Sequence, residues 1–440
     1  MKRHKLYASL IAVICLSASA MSLTLKESIS IALKNNPEVV SSQKKLDAAN
    51  ARLAQAIGAF TPTVKLSGNV GREYSQPYAV QVYAPPIIPT PVPFSFGIDS
   101  ATDSRGYSAS LTQPLLVAAL LPGFNIAKLA ADTAKEDLSK TMQGTAYDTT
   151  VAYFALLKAD EFVKLSNESL DMAKSHLSQV QAMISAGVAT RSDLLRAEVQ
   201  VANSEVALTK ANNGFELAKG SLNNVMGQPI DAQISFSDQE HTSTQATAPG
   251  LSDLTDTAFK YLPDWKMFKM AGDIADQNVW VQRSAYVPTL MLSGSTGDQI
   301  TYYPSYTTDV RNWSITGSAS ITLFDGLGIQ NRIREAEANL DAQKASEENV
   351  RNGIILSVRN ALLDFNAAEQ TITSAKKAVD LAEENDKVSE LRYKSGVATN
   401  IEVLDAQVAL TQARSNYSQA LFDLEIAKAK INKSVGQEVL

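Results

Sequence analysis

Two stretches of this 440-residue chain place acids where acids could act. In "SGVATNIEVLDAQVAL", residues 395–410, Glu402 and Asp405 follow a Gly-Val-Ala-Thr turn signal. An earlier copy, "AGVATRSDLLRAEVQV" at 186–201, has Asp193 in the place of Glu402 but Arg196 in the place of Asp405. Thr399 to Glu402 reads as a capping box: the threonine caps a helix whose third residue reaches back to it. Thr190 to Asp193 has nearly the same form. Glu402 therefore has a structural reason to exist. Asp405 is not needed for a box, although it suits the positive end of a helix. The reversal of sign to Arg196 is not something a shared capping role calls for, so Asp405 is the sharper functional candidate.

Other chemistry is sparse. The only cysteine is Cys15. Beyond the leader, His176 lies in a helical pattern and His241 in a polar linker, too far apart in sequence to suggest a zinc or nucleophilic site. There is no GxxxxGK[ST], no GxGxxG after a strand and no GxSxG. The remaining acids are spread along helix surfaces. The reading is of a non-enzymatic protein with no catalytic, metal or cofactor residues.

The elements that must position the two turns are themselves duplicated. Residues 187–228 align with 396–437 without a gap, with 14 identities in 42 positions, closing on Gly227-Gln228 and Gly436-Gln437. "FTPTVKLSG" (60–68) parallels "YVPTLMLSG" (286–294), and Pro37 and Pro263 keep the same spacing. The shift between these offsets places an insertion of 17 residues in the first half. It falls in 71–106, where six prolines crowd into 77–93 and a long loop is expected.

Each half then runs short helix pair, strand, loop, strand, and two long helices meeting at GVAT. In "WSITGSASITL" (313–323), Trp313, Ile315, Ala319, Ile321 and Leu323 take one face, and small polar residues the other. That length and alternation fit a membrane-barrel strand or a half-buried strand of a soluble sheet equally well. Similar strands are expected at 61–71, 106–115 and 288–298. Four strands cannot close a membrane barrel, whose smallest form has about eight, so membrane strands would require several chains to share one barrel. No proline occurs from Gly123 to Gln228, or after Pro304, which leaves room for very long helices. Past the first GVAT, Leu194, Val201, Leu208, Phe215 and Leu222 recur every seventh residue, with small residues from Ala197 onward three places later. The second copy repeats this from Val403 and Ala406. A large-small seam over five heptads means coiled-coil packing. Leu195, Val199, Ala202 and Val206 add a second stripe, so the helix can pack on two sides, as the wall of a helical tube requires.

Residues 1–20 read as a secretory signal peptide: Lys2, Arg3 and Lys5, an apolar run, then Ala18-Ser19-Ala20. Cys15 lies inside it after the bulky Ile14, a poor context for lipidation. Removing the leader takes the formal charge from −6 to −9, so nucleic acid is a poor partner. After it, no run of 18 apolar residues marks a transmembrane helix, a test blind to β-strands.

Several residues now carry a family resemblance: "ALKNNPEV" (32–39), the strand exit "LFDG" (323–326), the two GVAT hairpins, and "VLDAQVAL" (403–410). In this order and spacing the chain resembles the TolC-like outer membrane efflux protein family, over essentially its whole mature length. The resemblance implies a homotrimer. Four strands per chain would share one twelve-stranded outer-membrane barrel, and long coiled-coil helices would form a periplasmic α-barrel. The loops at 72–105 and 299–310 would face the exterior. The GVAT turns, with Gly187, Thr190, Gly396 and Thr399, would lie at a closed periplasmic tip that meets a periplasmic adaptor (membrane fusion protein) and an inner-membrane transporter. Glu402 and Asp405 match the family's acidic pore constriction. Asp193 and Tyr393 match a pair whose links between helices latch the tip; packing near the turn would also account for Tyr393. The family's tip arginine falls on Ala398. Six carboxylates from three chains would attract cations.

The expected organisation is mainly α with a membrane β-barrel and an internal duplication. The signal peptide (1–20) is followed by a first repeat (21–230) with strands 61–71/106–115 and a long hairpin at 124–226. A linker (231–250) leads to a second repeat (251–440) with strands 288–298/313–323 and a hairpin at 328–434. The expected function is a trimeric exit duct in the outer membrane of a Gram-negative-type bacterium, serving efflux or type I secretion and embedded in outer membrane lipid. The other class considered is a periplasmic coiled-coil adaptor or structural protein with no membrane barrel. An adaptor is expected to show one helical hairpin flanking a small β domain, not a duplicated plan.

Overall fold

The computed structural model describes residues 22–76, 78–84, 87–96, 100–236 and 250–437. The signal peptide, Cys15, His241 and most of the linker lie outside the described residues. The first half contains β1 (Ser22–Leu23), α1 (Leu25–Asn35), α2 (Pro37–Gly58), β2 (Thr63–Ser75), β3 (Tyr78–Ala84), β4 (Ile88–Phe96), β5 (Ser100–Leu116), α3 (Leu120–Ser185), α4 (Arg191–Val225) and β6 (Ser235–Phe236). The second contains α5 (Leu251–Tyr261), α6 (Pro263–Arg283), β7 (Thr289–Tyr302), β8 (Thr307–Ser320), α7 (Gly328–Ala345), α8 (Glu347–Lys394) and α9 (Asn400–Val435). The chain divides into two compact units, each drawing on both halves of the sequence. One comprises the chain up to Lys44, Glu136–Lys266 and Glu348 onward; the other comprises Lys45–Lys135 and Met267–Glu347.

The helical unit is built from the heptads. On α9, Val403, Ala406, Leu410, Ala413, Ala420, Leu424, Ala427 and Ile431 are all buried, which is the a/d seam expected from spacing. On α4 the small positions Ala197, Ser204 and Ala211 are buried, while Leu195, Val199 and Val206 of the second stripe stay exposed. Helix α3 has 66 residues, about 100 Å at 1.5 Å per residue. The first arm of the second hairpin is interrupted at Ser346, between α7 and α8.

The short helices pack in matching ways. Ala32 of α1 lies in a core with Tyr153, Leu156, Leu222 and Met226, at the closing end of the first long pair. Leu254 and Ala258 of α5 lie against Val358, Phe365, Leu424 and Ile431 of the second. Pro37 and Pro263 open α2 and α6, where a missing N–H costs nothing. The chain just before each proline meets one of the two Gly-Gln stops. Gly227 has φ +66°, and an added Cβ would lie 2.5 Å from the Asn35 carbonyl oxygen. Gly436 has φ +74°, and an added Cβ would lie 2.6 Å from Leu262 Cα. Asn36 also donates from Nδ2 to the Val225 carbonyl, 2.8 Å away.

In the other unit β2, β5, β7 and β8 form one antiparallel sheet in that order, so β2 and β8 are its open edges. The strands run longer than the sequence suggests: β5 begins at Ser100 and β7 reaches Tyr302. The expected loop at 299–310 therefore shrinks to 303–306, where the Tyr303 and Tyr306 rings stack 4.4 Å apart. The proline-rich stretch also corrects the expectation of a loop. There β3 and β4 pair as an antiparallel ribbon with Val82 opposite Val92, although β4 contains Pro89, Pro91 and Pro93. Spacing decides this. Successive N–H groups of a strand point to alternate edges, so prolines two apart all lack a donor on one edge and leave the other free to pair.

Gly227→Ala and Gly436→Ala are each expected to lower the unfolding free energy by about 2 kcal/mol or more, because left-handed backbone and a backbone clash add. Gly58→Ala, with nothing within 4 Å of the new Cβ, serves as the neutral comparison. Urea denaturation followed by circular dichroism checks this.

Candidate functional site

The two GVAT turns fold alike because each uses the same two local devices. Gly187 (φ +78°) and Gly396 (φ +73°) end their helices in the left-handed conformation. The Val188 N–H donates back to the Met183 carbonyl and the Val397 N–H to the Arg392 carbonyl, each at 2.9 Å. Three residues after each glycine a threonine restarts the chain. Thr190 receives the Asp193 N–H on its hydroxyl, while its own N–H donates to Asp193 Oδ2 at 3.0 Å. Thr399 and Glu402 make the same box, with the Thr399 N–H 3.2 Å from Glu402 Oε1.

The boxes spend one acid in each turn. Asp193 is held below the usual carboxylate range chiefly by the Thr190 hydroxyl, then by its backbone N–H. Glu402 is held low by the Thr399 backbone and hydroxyl, with Arg392 adding to the effect. Arg392 Nη1 is 3.6 Å from Glu402 Oε2, an ion pair between α8 and α9. Asp405 is exposed one turn further on and makes no hydrogen bond or ion pair among the described residues. Arg196, its counterpart in the first copy, is also exposed.

Between the turns lies a buried polar contact. His176 Nε2 is 2.5 Å from Asn400 Oδ1, and Asn400 Nδ2 donates to the Asp193 carbonyl at 3.1 Å. This ties α3 and the start of α4 to the start of α9. Tyr393 packs against the His176 ring, 5.4 Å between centroids, in a small core with Val180, Ala197 and Val403. Ala398, which the resemblance matches to an arginine, packs at the edge of this core. The Tyr393 hydroxyl is buried without a hydrogen-bond partner, and burial followed by the Asp193 charge pushes its pKa up. Asp193 and Tyr393 are thus brought near each other, yet no hydrogen bond joins them within the chain.

Sequence reasoning did not single out His176, Asn400 or Arg392 for this site. Asn400 was visible only as filler inside the capping box, and His176 as an isolated histidine in a helix. Their meeting, 224 residues apart, leaves no local signal. Among the described residues no group of three or more His, Cys, Asp or Glu could hold a metal ion, and no helix is long and apolar enough to cross a membrane.

Comparison with known proteins identifies the family. The family model for outer membrane efflux proteins matches residues 28–228 and 260–437, one segment for each copy of the plan. The chain belongs to the outer membrane efflux protein family. Outer membrane protein TolC of Escherichia coli (strain K12) is 22% identical over 413 residues, covering 91% of this chain and 80% of that protein. The alkaline protease secretion protein AprF of Pseudomonas aeruginosa is 22% identical over 431 residues, covering 96% and 86%. The solved outer-membrane channel OprN superposes with a TM-score of 0.76 at 20% identity, covering 94% of this chain and 90% of its own. As an outer membrane efflux protein the chain is a duct component, and the helical hairpins and antiparallel strands are the fold of such channels.

A carboxyl depressed in the folded state contributes stability above its unfolded pKa and loses it as pH falls through the folded one. Acidification below the ordinary glutamate range is thus expected to release the Thr399 cap. Exchange protection of the Thr399 amide, which donates to the Glu402 carboxylate, should fall as the pH is lowered from about 6 to about 3. In Glu402→Ala that protection should already be low and show little pH dependence.

Proposed function

We propose that three copies of this chain build one exit duct through the outer membrane, gated at the two hairpin turns and fed by a periplasmic adaptor and an inner-membrane transporter. The observation that carries this reading is the unfinished sheet. Both edges of β2-β5-β7-β8 are open, and its apolar face lies bare, with Leu66 80%, Val70 85% and Trp313 74% exposed. Unpaired edges and bare apolar rows are not tolerated singly in lipid. Three such sheets joined edge to edge make the twelve strands the family resemblance implies, and each edge then finds a partner. The second stripe of α4 points the same way: Leu195, Val199 and Val206 have no cover within the chain and suit a neighbouring copy. A coiled-coil adaptor without a barrel would leave both the edges and the apolar face without partners.

At the tip, the three-fold arrangement brings six carboxylates together. Glu402 is already engaged by Thr399 and Arg392, so its charge is partly compensated. Asp405 has no partner among the described residues and carries the larger share of the cation attraction. Asp193 and Tyr393 act as the latch through the buried core they share with His176, and the unsatisfied Tyr393 hydroxyl is the group left to find a partner there. Opening requires the second hairpin to leave this core, exchanging one set of polar contacts for another, as a bistable element biased by the adaptor and transporter does. Residues 1–20 direct export, and the helices extend into the periplasm.

Detergent-extracted protein is expected to migrate as a trimer unheated and as a monomer after heating; a water-soluble monomer would overturn the duct. In planar bilayers, Asp405→Asn combined with Glu402→Gln should weaken block by multivalent cations about tenfold or more. Unchanged block would overturn the acidic ring while leaving the duct standing.

A further inference from the structure

The long helices of the helical unit stand side by side, and their contacts fix the order. α4 shares a core with α3 at Leu222 and Tyr153. α3 meets α9 through the Phe154 and Phe422 rings, 6.2 Å apart, and Arg414 of α9 reaches Glu383 of α8 at 2.8 Å. The order is therefore α4-α3-α9-α8. The uncovered apolar stripe of α4 lies at one end of this row. Copies joined there and at α8 leave the furrow between α3 and α9 open.

At the closing end of α9 that furrow deepens into a cavity of about 440 Å³, walled by α3, α9, the start of α8 and the junction of α5 with α6. Its size is that of a small-molecule site. Leu262, Val350 and Ile354 supply an apolar floor, and Gly353 widens it. This glycine stands inside the 48-residue α8, where glycine weakens a helix. An added Cβ would meet nothing within 4 Å, so no neighbour in the chain calls for glycine there.

The polar groups around the cavity are nearly all spent. Lys140 is paired with Asp264 and Lys430 with Asp364, each at 2.5 Å. Gln143 donates from Nε2 to the Gly436 carbonyl at 3.0 Å. Lys433 is different. Its ammonium lies 4.3 Å from the centroid of the Tyr147 ring and has no carboxylate partner among the described residues. A ring face attracts an ammonium but accepts little from its three N–H donors, so Lys433 keeps both charge and donors for an outside group.

We propose that this cavity binds a small amphiphile with one negative charge, a carboxylate or sulfonate on an apolar body. The head accepts from Lys433 Nζ, and the body lies on Leu262, Val350 and Ile354 over the gap at Gly353. The balance of charge selects this class. A cation meets Lys433 with no free carboxylate to receive it, since Asp264 is spent on Lys140. A dianion needs a second free cation, and Lys140 and Lys430 are both engaged. A neutral body covers the floor but leaves the ammonium without a counter-charge.

The cavity lies within one chain; only its being left open rests on the edge-to-edge assembly, and the test separates the two. Full-length protein in phosphatidylcholine nanodiscs is dialysed to equilibrium against radiolabelled naphthalene-2-sulfonate, with empty nanodiscs as the blank. Uncharged naphthalene-2-sulfonamide is the comparison. The sulfonate is expected to bind saturably and about tenfold more tightly than the sulfonamide. Lys433→Gln should abolish that difference. Gly353→Leu, which fills the cavity without touching a charge, should weaken both ligands about tenfold or more. Lys210→Gln, an exposed lysine on α4, should change nothing. Equal binding of sulfonate and sulfonamide overturns the anion assignment, and undiminished binding in Lys433→Gln and Gly353→Leu overturns the placement. A protein that runs as a trimer unheated yet binds no sulfonate removes the site and leaves the assembly standing. Binding by a protein that runs only as a monomer removes the assembly and leaves the site.

Discussion

A sheet of four strands cannot satisfy its own edges, and the rest of this molecule follows from that constraint. β2 and β8 each run for more than a dozen residues with one side of their backbone unpaired, beside a face of bare aliphatic and aromatic side chains. In water such edges invite aggregation, and in lipid each unpaired N–H or C=O costs several kcal/mol. Pairing the β2 edge of one copy with the β8 edge of the next would resolve both problems without new sequence. The helices meet the same demand, since α4 carries one seam buried within the chain and a second left uncovered.

The two hairpin turns show how one local design can be given two roles. A left-handed glycine ends the incoming helix and a threonine box starts the outgoing one in both copies, so the backbone is nearly the same twice. What differs lies one turn further along, where an exposed Arg196 stands in one copy and an exposed Asp405 in the other. Duplication supplies the scaffold, and substitution at solvent-facing positions beside it is free to set the charge, because no capping contact depends on those residues. The buried His176–Asn400 contact, with the Asn400–Asp193 carbonyl bond beside it, then joins the two hairpins at the edge of an apolar cluster. A polar pair in such a place constrains register more than it adds stability, since either partner left alone would be buried without a bond.

The repeat, the stop-and-cap turns, the heptad seams and the alternating strands were all legible in the sequence, because each depends on residues within a few positions of one another. The capping box at Thr399 and Glu402 needs only a threonine and an acid three apart. Proline density misled at 77–93, because spacing along a strand edge, not number, decides whether β4 can pair. Only the tertiary structure decided which residues meet across long separations: Tyr107 with Asp298, Arg392 with Glu402, His176 with Asn400. A period of two or of three and a half leaves many registers equally good, and a one-step slip changes every partner. Packing of the whole chain selects one register.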